Sequence, residues 1–118
     1  MTGSVGYHAG RVAEDIAARN YILRNHRLEA KRWRGSGGEI DLIMRDGAQV
    51  IFVEVKKSEN FARAATRLGR RQMDRLVAAG SEFLAGEPKG QLTDVRFDLA
   101  LVNGQGDVQI IENAFGSA

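Results

Sequence analysis

Four charged residues stand out because apolar neighbours surround them. Glu39 and Asp41 lie in Gly38-Glu39-Ile40-Asp41-Leu42-Ile43-Met44, and Glu54 and Lys56 lie in Val50-Ile51-Phe52-Val53-Glu54-Val55-Lys56. Between these segments Asp46-Gly47 signals a β-hairpin, since both central residues of a type I′ turn take positive φ. With those two residues as the loop, Arg45 faces Ala48, Glu39 faces Glu54 and Asp41 faces Phe52. Side chains alternate along a strand, so Glu39, Asp41, Glu54 and Lys56 then project from one face. Asp41 and Glu54 become diagonal neighbours at about 7 Å or less, within the reach of one ion bridging two carboxylates. A three-residue loop would instead put Asp41 and Glu54 on opposite faces.

The second segment is apolar on both faces and is expected in the middle of a sheet, covered on both sides. Carboxylates there are unfavourable unless a cation or hydrogen-bond donors compensate. Lys56 offers part of that compensation, and a hard divalent cation, Mg²⁺ or Mn²⁺, held by Asp41 and Glu54 offers the rest. Such a cation polarises a phosphate oxygen and lowers the pKa of a bound water, while Lys56 orients that water or stabilises charge building on phosphorus. The chemistry these residues suit is phosphodiester hydrolysis. The competing reading makes Glu54 and Lys56 a strand end paired in water and Glu39 a strand-start charge.

The elements that must position these residues follow from periodicity. From about Ala9 to Arg24, Val12, Ala13, Ile16, Ala17 and Leu23 recur at helical spacing. A weak strand near Leu28 to Trp33 is followed by Gly35-Ser36-Gly37-Gly38, a loop that is not a phosphate-binding P-loop because no Gly-Lys-Ser/Thr follows it. Strands are expected at Glu39 to Met44 and Gln49 to Val55, and a helix over about Thr66 to Leu84 with Met73, Leu76, Val77, Gly80, Phe83 and Leu84 on one face. Strands at Val95 to Val102 and Val108 to Glu112 flank the Asn103-Gly104 turn. The fold class is α/β, a mixed central sheet flanked by helices in the order α-β-β-β-α-β-β.

The 118 residues fit one domain, residues 1–118, with no linker or repeat. The absence of cysteine excludes a disulfide scaffold, thiolate zinc sites and cysteine nucleophiles. No apolar run is long enough for a membrane span and the first residues lack a secretory signal, so a cytoplasmic protein is expected. The net charge of +2 is unevenly spread. Residues 11–34 carry seven basic side chains against three acidic ones, and residues 56–75 carry seven against two. Arg34, Lys57, Arg67, Arg70 and Arg71 are the candidate contacts to nucleic-acid phosphates, with Gln72 beside them. Two solvated helix faces are the bland alternative. Trp33, between Arg32 and Arg34, suits core packing better than stacking on an unpaired base.

Glu39-Ile40-Asp41-Leu42-Ile43 followed by Phe52-Val53-Glu54-Val55-Lys56 resembles the D…E-x-K core of the PD-(D/E)XK nuclease superfamily. Over residues 10–115 the chain more narrowly resembles the YraN-like family of small bacterial proteins. Gly10-x-x-x-Glu14, Gln72, Arg96-Phe97-Asp98 and Asn113-Ala114-Phe115 fit that family; Arg71 departs from it, where members usually carry Lys, and so does Lys57-Ser58-Glu59-Asn60-Phe61. The resemblance implies a restriction-endonuclease-like core, akin to Holliday-junction resolvases and tRNA-intron endonucleases. It implies Asp41 and Glu54 as metal ligands, Lys56 and a helix-one Glu14 as further catalytic residues, and Gln72 reaching the site from the second helix. The implied partner is nucleic acid, DNA favoured over RNA, with no membrane role. A homodimer is among the implied assemblies, because resolvase-like relatives must cut two strands. The alternative is a non-catalytic nucleic-acid-binding module on the same fold.

Overall fold

The computed structural model describes residues 2–66 and 68–115, with side chains from residue 10 onward. Helix α1 (Thr2–Leu23) leads into the antiparallel strands β1 (Arg27–Gly35), β2 (Gly38–Asp46) and β3 (Gln49–Lys57). Helices α2 (Phe61–Ala65) and α3 (Arg70–Leu84) and a 3-10 turn then precede β4 (Val95–Val102) and β5 (Val108–Ile111). The sheet order is β1-β2-β3-β4-β5; β3 and β4 are parallel and the other pairs antiparallel. Parallel neighbours need a crossover rather than a hairpin, and α2 and α3 supply it. The expected mixed sheet and element order are therefore found, with the weak first strand present in full.

The expected second helix starts at Arg70 instead of about Thr66, and a separate short helix that was not expected, α2, precedes it. Asn60 caps α2 by accepting the Arg63 N–H at 2.9 Å, Thr66 closes it, and Gly69 in extended conformation starts α3. Both helices cover one face of the sheet. Leu76, Ala79 and Leu84 pack on Ile40, Ile43, Val50 and Phe52, while Ala64 packs on Leu99 and Leu101. Helix α3 presses close at Gly80, where an added Cβ would lie 3.0 Å from the Phe52 ring. Val77, expected in the buried stripe, is 46% exposed. Trp33 packs edge-on against Phe83 and belongs to this core, the reading preferred over base stacking.

Helix α1 covers the other face, rolled from the expected stripe. Ala13, Ala17, Ala18 and Tyr21 are buried, whereas Val12 and Leu23 are 54% and 78% exposed. Alanines let the helix lie close on Leu42, Met44, Ile51, Val53, Ala100 and Val102, so area near the sheet goes to small residues rather than to the largest ones. The roll has a functional consequence, because it turns Glu14 inward.

Below α1, Asp98 is completely buried. It accepts from the Tyr21 hydroxyl at 2.8 Å, from Arg96 Nε and Nη2 at 2.8 and 2.9 Å, and from the Asn113 N–H at 3.0 Å. Burial and the Asp98 charge push the Tyr21 hydroxyl far above its ordinary value, so it stays a donor. Asp98 thus ties α1, β4 and the segment after β5 together, a structural role. Asp98→Ala strands the Arg96 guanidinium and is expected to cost about 3 kcal/mol in urea unfolding. Divalent-ion affinity of the folded fraction is expected to stay as in the wild type.

Candidate metal centre

The β2–β3 hairpin turns through Gly47-Ala48, not Asp46-Gly47. Asp46 pairs with Gln49, and Leu42 with Val53. Gly47 takes φ +60° at the first central position while Ala48 stays at negative φ, the pattern of a type II′ loop with glycine leading. The glycine opens the turn instead of closing it, so Asp46 remains in the strand. The register moves by two residues from the expected one. An even shift keeps each side chain on its face and moves Asp41 from opposite Phe52 to the rung of Glu54.

The ladder ends one rung short of that pair, at Leu42–Val53. There β2 breaks its alternation: Leu42 packs under α1, but Ile40 and Ile43 both pack under α3. Asp41 sits at the break and turns toward β3, where its Oδ2 accepts the Val55 N–H at 2.8 Å. Asp41 lies beside Glu54, whose Oε2 accepts from Gln72 Nε2 on α3 at 2.7 Å. Burial, then the bond to Glu54 and its charge, push the Asp41 carboxyl up to about 8 against the downward pull of the Val55 N–H. At neutral pH Asp41 therefore keeps its proton beside Glu54. Two carboxyl groups fixed by their neighbours, with a proton on Asp41 that a cation can replace, fit a hard divalent ion.

The inward roll of α1 brings Glu14 to this centre, 9% exposed. Burial raises its pKa, opposed by a hydrogen bond from Arg32 Nε at 2.8 Å and reinforced by the charges of Asp41 and Glu39. Glu39 accepts from Arg34 Nη2 at 3.0 Å. A cleft of about 210 Å³ opens over Glu54, lined by Gly38, Glu39, Glu54, Gln72, Arg75 and Leu76. Among the described residues no three His, Asp or Glu side chains form a closed metal cage. The centre is a carboxylate pair with Glu14 held off by Arg32. Mg²⁺ keeps several waters and is commonly bound by one or two carboxylates, so a pair suffices.

Lys56 follows Glu54 on the same face of β3, half-buried. It forms no ion pair or hydrogen bond among the described residues, so the reading in which it pairs with Glu54 at a strand end is not met. Arg70 and Arg71 are exposed on α3 beside Gln72, Arg70 lying 3.6 Å from Asp74. Lys57 lies on the α1 side by strand alternation, in a groove with Val12, Ile16 and Val102, away from the centre. Arg34 is engaged by Glu39, and Arg67 lies outside the described residues.

Three participants escaped the sequence reading. Arg75 lines the cleft and lies one helical turn after Gln72, a spacing that could have flagged it. Glu82 accepts the Ser36 and Gly37 N–H groups at 3.0 and 2.9 Å and the Ser36 hydroxyl at 2.8 Å, which lowers its own pKa. It holds the β1–β2 connection as a tight turn where a longer loop was expected. Arg32 had no signal beyond its charge.

Residues 13–102 match the uncharacterised protein family UPF0102, a span that includes Glu14, Asp41, Glu54, Lys56 and Gln72. This chain belongs to UPF0102. That is the YraN-like family its sequence resembles. A UPF0102 protein of Cereibacter sphaeroides (strain KD131) is 62% identical over 117 residues, covering 99% of this chain and 100% of that protein. One from Ruegeria pomeroyi is 58% identical over 114 residues, covering 97% and 93%. A UPF0102 protein of Dinoroseobacter shibae is 42% identical over 105 residues, covering 89% of this chain and 78% of its own length.

Proposed function

We propose that this UPF0102 chain is a metal-dependent endonuclease that hydrolyses phosphodiester bonds of structured or branched DNA, using Mg²⁺ or Mn²⁺. The observation that carries the reading is the placement of Asp41 beside Glu54 on adjacent central strands, each held by a separate donor. A bound cation would polarise a phosphate oxygen and lower the pKa of a water. Asp41 and Glu54 bind it with little further loss of rotamer freedom, because Val55 and Gln72 already orient them. Lys56, on the face of Glu54, orients the attacking water and stabilises charge on the phosphorane. Arg70 and Arg71 meet flanking phosphates from the exposed side of α3, and Arg75 approaches from the cleft wall. Cutting both strands of a branch requires two such centres, hence a homodimer. No described helix is long and apolar enough to cross a membrane.

Lys56→Ala separates binding from chemistry. The variant is expected to bind Mn²⁺ as the wild type does and to cleave branched DNA about 10²- to 10³-fold more slowly. Equal cleavage by the variant and the wild type would remove Lys56 from the mechanism. A second reading, a non-catalytic nucleic-acid-binding module, draws on the engagement of Glu14 by Arg32. It requires salt-sensitive binding with no cleavage, unaffected by changes at Asp41 or Glu54.

A further inference from the structure

Arg32 is in an unusual place for an arginine. It is in the left-handed backbone region, φ +53°, in the middle of β1, a strained conformation for a long side chain. Its neighbours Lys31 and Trp33 pair with Leu42 and Ile40, so Arg32 lies on the rung of Asp41, where β2 breaks its alternation. From there Nε bonds Glu14 at 2.8 Å, with 28% of the Arg32 side chain and 12% of the Glu14 side chain exposed. The guanidinium also feels the charges of Glu39 and Asp41. One arginine thus faces the carboxylates from α1 and β2 together, beside a cleft of about 440 Å³ shared with Arg11, Asp15 and Lys31. Asp15 in turn is paired with Lys31.

We infer that Arg32 is the built-in counter-ion of the carboxylate cluster, holding Glu14 back so that divalent ions compete with its guanidinium for the site. Arg32 is a positioning residue: it touches Glu14 rather than the reacting atoms. The inference rests on Asp41 and Glu54 being the metal carboxylates. It makes an expectation opposite in sign to that for a supporting residue, because removing Arg32 frees Glu14 as a further oxygen donor and takes away a cation whose charge reaches Asp41.

The test is Mn²⁺ binding measured by calorimetry on four folded proteins: wild type, Arg32→Ala, Arg32→Lys and the Arg32→Ala/Glu14→Gln double variant. Arg32→Ala is expected to bind about tenfold more tightly than wild type. The double variant is expected to return to the wild-type value, and Arg32→Lys to stay near it. A purely structural role for Arg32 would weaken binding and would not be reversed by Glu14→Gln. If the wild type binds Mn²⁺ and Arg32→Ala binds it equally or less tightly, the counter-ion role is overturned while the metal centre stands. If neither binds it at millimolar concentration, the metal centre falls and the inference with it.

Discussion

Asp41→Asn is expected to abolish Mn²⁺ binding and to lower cleavage of branched DNA by about 10³-fold or more. It is also expected to make the metal-free protein more stable in alkaline solution. The two effects have one cause. Asp41 supplies an anionic oxygen on the rung of Glu54, and without a cation that charge is poorly tolerated in a mostly buried position. Its folded-state pKa, about 8, lies above the ordinary carboxylate value near 3.9 that applies in the unfolded chain. The folded protein therefore holds the extra proton between those values. Stability from this group is complete below about pH 4 and is lost as pH rises through about 8. Asparagine has no proton to lose. Urea unfolding of the metal-free proteins should show Asp41→Asn gaining on the wild type between pH 6 and 9, by about 2 kcal/mol at the alkaline end. Parallel pH profiles for the two proteins would show that Asp41 is not the strained carboxyl.

The second large effect is the pH dependence of metal binding. An ion bound by Asp41 and Glu54 would displace the Asp41 proton, so apparent affinity is expected to rise about tenfold per pH unit from pH 6 to 8 and level off above that. Calorimetry in buffers of different ionisation enthalpy is expected to report about one proton released per ion at pH 7. Ordinary surface carboxylates, already ionised at pH 6, would give a flat profile and no proton release. The linkage also fixes the sign of metal rescue. Mg²⁺ should stabilise the wild type more at pH 8 than at pH 6, and should leave Asp41→Asn unchanged at both.

Strand parity did most of the work in locating this centre from the sequence. Asp46-Gly47 between two apolar segments implies a tight hairpin, and any even-numbered shift of register keeps Asp41 and Glu54 on compatible faces. The Asp-Gly signal puts the loop one residue early, at Asp46-Gly47, because it marks glycine as the second turn residue, whereas here glycine is the first and the loop is Gly47-Ala48. Asp41 and Glu54 consequently share a rung rather than a diagonal. The roll of α1 was harder to foresee. Ala13, Ile16 and Ala17 of the expected stripe do face the sheet, but Ala18 and Tyr21 take the places expected for Val12 and Leu23, because the sheet selects the face that allows close approach and gives Tyr21 a buried acceptor in Asp98. Arg32 lay beyond pattern reading altogether. Its role depends on a left-handed residue inside a strand and on the break in β2 opposite it, and side-chain type and spacing encode neither.

The central claim is that Asp41 and Glu54 together hold a divalent cation. The most direct measurement is a titration with Mg²⁺, followed by amide chemical shifts, on wild type and Asp41→Ala. Saturable shifts centred on Asp41, Glu54, Val55 and Gln72 in the wild type, absent from Asp41→Ala, are the expected result. A wild-type spectrum unchanged at millimolar Mg²⁺, or one that shifts identically in Asp41→Ala, would contradict the account.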